Sequence, residues 1–136
     1  MKTARNIFAT PVLQPEAEAW FAQNLQLFLN HYDYVCLMAM PYMEQTDKPG
    51  KWLDDLVKVV KAQDNGLKKT VFILQTRDWR TKSRSIPEDE IASFMRQLQR
   101  QGAIHFGYYP DDFPGNRPSV DVLHPAFSIQ NFIYRP

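Results

Sequence analysis

An alternation of strand-like and helix-like segments constrains the fold of this chain more than any other feature of its sequence. The clearest strand pattern covers residues 34–40, a continuous apolar run typical of a strand buried on both faces of a parallel sheet. Segments with apolar residues every three or four positions, the period of a helix, separate the strand patterns. The predicted strands are residues 6–13, 34–40, 70–75 and 103–109.

Three helices are predicted between these strands. Pro15 opens the first, because proline is favoured at the first helical position. Asn65 and Gly66 end the second, while the third begins with a capping box at Ser85 and ends at Gly102. The residues predicted to face the core are Phe21, Leu25, Phe28 and Tyr32, then Leu53, Leu56, Val57 and Val60, then Ile91, Phe94, Met95 and Leu98.

The order βαβαβαβ predicts an α/β fold made of repeated βα units. The repeat is about 30 to 35 residues, the length of a βαβ unit, and right-handed crossovers place the ends of all parallel strands on one side. Two architectures fit: half of a (β/α)8 TIM-type barrel, or an open doubly wound sheet. The chain has neither a GxGxxG nor a P-loop sequence, which disfavours a nucleotide-binding open sheet. Residues 114–136 are predicted to form an irregular tail that packs on this unit.

Composition and charge exclude several classes of protein. A chain of 136 residues is one domain or less, and its net charge of +1 gives no reason to expect a nucleic-acid partner. The longest apolar stretch, residues 34–43, is too short for membrane insertion, and no signal peptide follows Met1. The single cysteine, Cys36, excludes an internal disulfide and is interpreted as a small buried hydrophobe. The basic stretch at residues 77–84 is interpreted as a solvated loop rather than a phosphate site.

Aromatic and acidic residues follow three of the predicted strands. Because the carboxyl ends of parallel strands meet at one edge of a sheet, these side chains are expected at the mouth of an α/β site. Aromatic rings offer flat faces to sugars, and carboxylates accept hydrogen bonds from hydroxyl and amine groups. The residues are Tyr42 and Glu44 after the second strand, Asp78 and Trp79 after the third, and Tyr108, Tyr109 and Asp111 at the end of the fourth.

Each of these positions also has a structural interpretation. Trp79 stands among charged neighbours, which favours sugar stacking over packing at the rim. Trp20 lies beside the core face of the first helix, where packing between helices competes with ligand contact. Asp111 fits an Asx turn as well as a ligand contact.

The carboxylates leave two kinds of chemistry open. A glycosidase needs two carboxyl groups about 5 to 5.5 Å apart if it retains configuration, or about 6.5 to 9.5 Å apart if it inverts. Glu44, Asp78 and Asp111 are candidates for one member of such a pair. A single carboxylate instead binds an ammonium group of a ligand, and we favour this role for Asp78 and Asp111. The catalytic residues stay unassigned, no cofactor is expected, and the three histidines lack the spacing of metal ligands.

Four sets of residues point to a known family. They are TARNIFA (residues 3–9), PE with AWFAQN (15–16 and 19–24), MAMPY (38–42) and GYYPD (107–111). In this order they resemble the carboxyl-terminal part of the PgaB/HmsF family of biofilm polysaccharide export proteins. The resemblance extends from Thr3 to about Phe127.

The resemblance implies a function for a larger protein. In that family, an amino-terminal metal-dependent domain deacetylates poly-β-1,6-N-acetyl-D-glucosamine. A carboxyl-terminal (β/α)8 domain binds the partly deacetylated polymer and hydrolyses it. Residues 1–136 would form the second half of that barrel, without the deacetylase domain, the lipoprotein signal or the main catalytic acid. The implied location is the periplasmic side of the outer membrane. The residues expected in or near the polymer groove are Trp20, Tyr42, Glu44, Asp78, Trp79, Tyr108, Tyr109 and Asp111.

Two other functions remain open at this stage. One is a carbohydrate-binding module without catalysis, and the other is an open α/β domain with an unrelated small ligand. Half a barrel would also leave two open sheet edges and an uncovered inner face, which is an aggregation hazard. We therefore expect the chain to form a homo-oligomer, to dock onto the other half of the barrel, or to rearrange into an open sheet.

Overall fold

The computed structural model describes residues 1–80 and 82–127, and it centres on a parallel sheet of four strands. The strands of this sheet are β1 (Ala4–Ile7), β2 (Tyr34–Ala39), β3 (Thr70–Gln75) and β6 (His105–Tyr109). A short antiparallel hairpin of β4 (Arg77–Asp78) and β5 (Arg84–Ser85) follows β3. The helices are α1 (Ala9–Leu13), α2 (Glu18–Phe21), α3 (Leu25–His31), α4 (Pro49–Lys61), α5 (Gly66–Lys69), α6 (Glu88–Arg100) and α7 (Val120–Phe127).

The strand order in the sheet is β1-β2-β3-β6, the same as the order along the chain. A doubly wound sheet would reverse its order at a switch point, and this sheet does not. Sequential parallel strands joined by right-handed crossovers place the connecting helices on one face, as in a (β/α)8 barrel. The predicted α/β fold with the geometry of half a barrel is therefore confirmed, and the open doubly wound alternative is wrong.

The two faces of the sheet differ in burial. On the helix-covered face, Leu37 of β2 aligns with Phe72 of β3, and both side chains are fully buried. On the opposite face, Cys36 aligns with Val71, and both remain partly exposed. Since successive side chains of a strand point to opposite faces, this alternation follows from the pleat. The main core therefore lies between the sheet and its helices.

Helices α4 and α6 supply most of the helical side of this core. Their buried residues, Leu53, Leu56, Val57 and Val60 in α4 and Ile91, Ala92, Met95 and Leu98 in α6, follow the predicted pattern closely. Hydrogen bonds also join the two helices, because the Gln97 side-chain amide donates to the carbonyl of Gly50 (2.8 Å) and to the Asp54 carboxylate (2.7 Å). Phe94 is partly buried against the core.

The first third of the chain differs from the sequence prediction. The strand expected at residues 6–13 ends at Ile7, and residues 9–13 form α1. Pro11 suits the first turn of a helix, where its missing N–H gives up no hydrogen bond. The single helix expected after Pro15 breaks at Ala22, which has a left-handed conformation (φ 50°). Asn24 then caps α3 by accepting a hydrogen bond from the Leu27 N–H (2.9 Å). This break leaves Phe21 on the surface.

Two further corrections concern the end of the chain. Ser85 belongs to β5 and does not cap α6, whose first turn follows Pro87 without a side-chain cap. Part of the predicted irregular tail is helix α7, which packs on α6 and buries Leu123. Residues 114–119 of that tail form the irregular segment before α7, and residues 128–136 lie outside the described residues. No helix in the described parts of the chain is long and apolar enough to cross a membrane.

Candidate functional site

Hydrogen bonds join the loops at the carboxyl ends of β2, β3 and β6 into one surface. The backbone N–H of Thr76, directly after β3, donates to the carbonyl of Tyr109 (2.9 Å), and its hydroxyl donates to the carbonyl of Pro110. The buried Gln75 side chain accepts from the N–H of Met43, in the loop after β2 (3.1 Å). The residues that follow three neighbouring strands are therefore held side by side, as the sequence predicts.

Asp78 lies beneath this surface and holds two arginines. Its residue exposure is 2%, and its carboxylate accepts hydrogen bonds from Nε and Nη2 of Arg80 at 3.1 and 3.0 Å. Nη2 of Arg84 lies 3.4 Å from the same carboxylate. The hydrogen bonds from Arg80 lower the pKa of Asp78 from 3.8 to about 2. Direct contact of this carboxylate with a ligand therefore requires that Arg80 first moves away.

Tyr42 connects the arginines to helix α6. The Cζ atom of Arg80 lies 4.6 Å from the centroid of the Tyr42 ring, and that of Arg84 lies 5.9 Å from it, so both make cation–π contacts. The Tyr42 hydroxyl donates to the Glu90 carboxylate. Burial, together with this hydrogen bond, raises the pKa of Tyr42 to about 12. Tyr42 therefore supports the arginines from below and stays protonated at neutral pH.

An exposed pair of aromatic rings stands next to this network. The Trp79 and Tyr109 rings have centroids 6.4 Å apart and planes tilted by 42°. Trp79 is 43% exposed and Tyr109 is 56% exposed, so both keep ring surface open to solvent. Tyr108 points the other way, since neighbours in a strand alternate, and packs against the core. Of the two predicted tyrosines, Tyr109 therefore lies on the exposed surface.

A cavity of about 640 Å³ adjoins the Tyr109–Pro110 segment. Its walls come from the hairpin, the start of α6 and the loop after β6, and they carry both cations and anions. The charged residues that line it are Arg77, Arg117, Glu88, Asp111 and Asp112. Asp112 accepts a hydrogen bond from the N–H of Gly115, and Glu88 accepts one from the N–H of Ser119. The Asp111 carboxylate is exposed and makes no hydrogen bond or ion pair with any described residue.

The remaining two predicted site residues lie closer to β1. Glu44 is partly buried and accepts a hydrogen bond from the Thr10 hydroxyl of α1 (2.7 Å). Trp20 projects from the short helix α2 and is 89% exposed. Its neighbour Phe21 contacts Phe8, with ring centroids 5.4 Å apart. Trp20 is therefore free of the interhelical packing that was one of its two interpretations.

The sequence prediction missed several residues of this surface. Arg80 and Arg84 lie in the stretch that the sequence predicts as a solvated loop, and the sequence prediction does not single out Glu90, yet all three contact Tyr42 or Asp78. For the two arginines, the signal in the sequence is their spacing from Asp78. The chain turns after the two-residue strand β4 and returns along β5, which brings Arg84 back beside Asp78. Within residues 1–80 and 82–127, no cluster of three or more His, Cys, Asp or Glu side chains is placed to hold a metal ion.

Comparison with known proteins identifies the family. The model of a family described as hypothetical glycosyl hydrolase family 13 matches residues 1–109, which is most of the chain. The chain belongs to this family. The solved structure of the glycoside hydrolase domain of PgaB (BpsB) from Bordetella bronchiseptica matches it with a TM-score of 0.89 and 46% sequence identity. That match covers 95% of this chain and 36% of the solved chain.

Curated relatives of this glycosyl hydrolase family member extend the comparison. The poly-beta-1,6-N-acetyl-D-glucosamine N-deacetylases of Escherichia coli K12 and O157:H7 are each 42% identical to it over 132 residues. The alignment covers 94% of this chain and 20% of each relative, so the chain spans about a fifth of their length. The resemblance to the PgaB/HmsF family is therefore confirmed.

Proposed function

We propose that this chain forms part of the wall of a groove that binds partly deacetylated poly-β-1,6-N-acetyl-D-glucosamine. The observation that carries the proposal is the exposed Trp79–Tyr109 pair beside a cavity that contains Asp111, which has no partner among the described residues. The names of the relatives, a deacetylase of this polymer and a glycoside hydrolase domain, support the class of ligand. By the same resemblance, we propose a periplasmic location.

The surface offers two kinds of contact that suit this polymer. The open faces of Trp79 and Tyr109 provide apolar area for the flat side of a sugar ring. Deacetylated units carry an ammonium group, and Asp111 is a carboxylate without a competing partner among the described residues. Arg80 and Arg84 are held by Asp78 and by the Tyr42 ring, and their remaining N–H groups suit hydroxyl or carbonyl oxygens of a sugar.

Binding without catalysis by this part of the protein is supported over hydrolysis by specific contacts. Asp78 has a pKa of about 2 and two arginine partners, so it carries no proton to donate at neutral pH. Glu44 is engaged by Thr10. Three carboxylates line the cavity. Asp112 and Glu88 each accept a backbone hydrogen bond, which leaves Asp111 as the one without a partner among the described residues, and a glycosidase needs two. We propose that the chain holds the polymer, while a catalytic acid is supplied by another part of a larger protein.

Trp79→Ala tests the groove. We expect this substitution to weaken binding of partly deacetylated β-1,6-glucosamine oligomers about tenfold, because a large aromatic contact in an interface is worth about 1.4 kcal/mol or more. Isothermal titration calorimetry measures the affinity directly, and intrinsic tryptophan fluorescence reports the same event in the unchanged protein. Leu27→Ala is the matched control, since Leu27 is also exposed but lies on α3, away from the strand ends. Equal affinities of the Trp79→Ala variant and the unchanged protein would rule out this groove.

Asp111→Asn tests how the ligand is recognised. We expect weaker binding, by about fivefold, for deacetylated oligomers and no change for fully acetylated ones, because an exposed charge pair is worth up to about 1 kcal/mol. The same titration, repeated with both oligomers, separates the charge contact from stacking. A loss that is equal for the two oligomers would assign Asp111 to the shape of the loop and not to the ammonium group.

A further inference from the structure

The hairpin of β4 and β5 carries Trp79, and its base is anchored to the sheet. The N–H of Ile86, directly after β5, donates to the carbonyl of Thr76 (2.9 Å), and the N–H of Thr76 donates to the carbonyl of Tyr109 (2.9 Å). Beyond this base, each strand of the hairpin contains two residues. A two-stranded hairpin has little stability of its own in water, so its conformation depends on further contacts.

The backbone of the hairpin tip, which we define by Trp79, Arg80, Lys82 and Ser83, is unfavourable. Lys82 and Ser83 have φ angles of 45° and 34°, in the left-handed region that residues with a Cβ atom rarely adopt. Neither is a glycine, an asparagine or an aspartate, the residues that tolerate this region best. Side-chain contacts of the hairpin must therefore offset this conformation.

The Arg84 side chain connects β5 to the end of β4. Arg84 is aligned with Asp78 across the hairpin, and its Nη2 atom lies 3.4 Å from the buried carboxylate. Arg80 binds the same carboxylate, but it follows Asp78 by two residues and so orders the turn after β4. The Cζ atom of Arg84 also lies 5.9 Å from the centroid of the Tyr42 ring, which belongs to the loop after β2. Arg84 therefore holds the two strands of the hairpin together and against the neighbouring loop.

We propose that Arg84 is a positioning residue that keeps Trp79 in contact with Tyr109. Trp79 directly follows Asp78, so the ion pair between Asp78 and Arg84 fixes the point from which the indole ring extends. The ring centroids of Trp79 and Tyr109 are 6.4 Å apart, and Tyr109 is held in the sheet by β6. Without the ion pair, the unfavourable backbone of the tip relaxes and the two rings separate. The use of this pair in polymer binding rests on the proposed function, whereas its geometry does not.

This role differs from a direct contact between Arg84 and a ligand. If Arg84 acted by direct contact alone, its replacement would leave Trp79 unchanged in the ligand-free protein. A positioning role changes the surroundings of Trp79 before any ligand is present. The environment of Trp79 in the ligand-free protein therefore separates the two roles.

Fluorine NMR of protein labelled with 5-fluorotryptophan tests the proposal without a ligand. The chain has three tryptophans, and Trp79→Phe identifies the resonance of Trp79 as the one that disappears. Tyr109→Leu removes the neighbouring ring and so records the chemical shift of Trp79 without its partner. We expect Arg84→Gln to move the resonance toward that value. Arg96→Gln is the matched control, because Arg96 is an exposed arginine of α6, and it should leave the resonance in place.

A second substitution tests whether Arg84 acts on the backbone of the tip. Glycine adopts a positive φ without steric cost, so adding Ser83→Gly to Arg84→Gln should return the Trp79 resonance at least about halfway to its original position. An Arg84→Gln resonance that Ser83→Gly does not move would contradict this link. An unchanged Trp79 resonance in the folded Arg84→Gln protein would overturn the proposal. If Arg84→Gln does not fold, Arg84→Lys keeps the charge without the planar guanidinium and should shift the resonance in the same direction.

Titration with partly deacetylated β-1,6-glucosamine oligomers then connects this geometry to the proposed function. We expect Arg84→Gln to weaken binding about fivefold, since an aromatic pair is lost, and Ser83→Gly to restore most of the affinity. A shifted Trp79 resonance with unchanged affinity would contradict the proposed groove and leave the positioning role intact. A weaker affinity with the Trp79 resonance in place would assign Arg84 to direct ligand contact and overturn the positioning role.

Discussion

Asp78→Asn should lower the free energy of unfolding by about 2 kcal/mol at pH 7, the range for hydrogen bonds to charged groups. Asp78 is buried and accepts from two side-chain nitrogens of Arg80 and from its backbone N–H. An asparagine of the same shape keeps one acceptor oxygen but turns an NH2 group toward the guanidinium donors. Urea unfolding of both proteins, followed by circular dichroism, measures the difference.

The acid dependence of this difference follows from the pKa of Asp78. In the folded protein that pKa is about 2, below the usual 3.8, so the stabilising contribution is complete above about pH 4. It is lost as the pH falls from about 4 toward 2, because the folded state must then take up the proton that the unfolded state has already bound. The unchanged protein should therefore lose its greater free energy of unfolding, relative to Asp78→Asn, in this pH interval. A stability difference that persists unchanged at pH 2.5 would contradict the assignment, because the hydrogen bonds from Arg80 and the ion pair with Arg84 would not be its source.

Asp55→Asn provides the control for this prediction. Asp55 also pairs with a cation, because Lys51 Nζ lies 2.6 Å from its carboxylate one helical turn away. Both partners of that pair are on the surface of α4, where water and salt screen the interaction. We expect no measurable change in stability from this substitution. The comparison separates a buried carboxylate that organises a loop from an exposed ion pair of similar length.

The strands and helices that form the layers of the fold were predictable, because each depends on the local pattern of apolar residues. β3 has the predicted bounds, and β2 is one residue shorter than expected, because long apolar runs leave little choice of element. The buried residues of α4 and α6 also follow the predicted helical period. The strand order decides between half a barrel and an open sheet, and it is a long-range property that periodicity does not contain.

The candidate site was predictable in position but not in detail. The strand ends do bring Tyr42, Asp78, Trp79 and Tyr109 together. Which carboxylate is free depends on contacts between distant residues, such as Arg84 reaching Asp78 across the hairpin. The alternation of a strand assigns Tyr108 and Tyr109 to opposite faces, but it does not say which face is open.

The surface therefore divides into a fixed support and an open contact layer. Asp78, Tyr42 and Glu90 are occupied by contacts within the protein and hold Arg80 and Arg84 in place. Trp79 and Tyr109 keep exposed ring faces toward solvent, and the Asp111 carboxylate has no partner in the part of the chain that the structure describes. Substitutions in the support should change stability together with binding, whereas substitutions in the contact layer should change binding alone. Urea unfolding and ligand titration of each variant named above distinguish a change in stability from a change in binding.

Gly66→Ala should be the most destabilising of the single substitutions considered, by about 3 kcal/mol, the upper range for overpacking a fitted site. Gly66 is buried where α5 begins, and a Cβ atom there would lie 1.8 Å from the backbone carbonyl oxygen of Val60 near the end of α4. A backbone atom has no alternative rotamer, so α5 itself must shift. Because α5 leads directly into β3 at Thr70, the shift also strains the central sheet. Urea unfolding of the two proteins measures this loss.

The reason why Gly66 is required differs from the usual role of a glycine at the end of a helix. The sequence predicts Asn65 and Gly66 as a helix stop, but Asn65 is the residue with positive φ (58°), and Gly66 is needed for close approach. Gly50→Ala is the matched control, since a Cβ atom there meets nothing nearer than the Gln97 side chain at 3.6 Å. Gly50 lies in the first turn of α4, so we expect unchanged stability or a gain of up to about 1 kcal/mol from the better helix former. Equal stabilities of the two alanine variants would mean that α5 does not pack against the end of α4 as described.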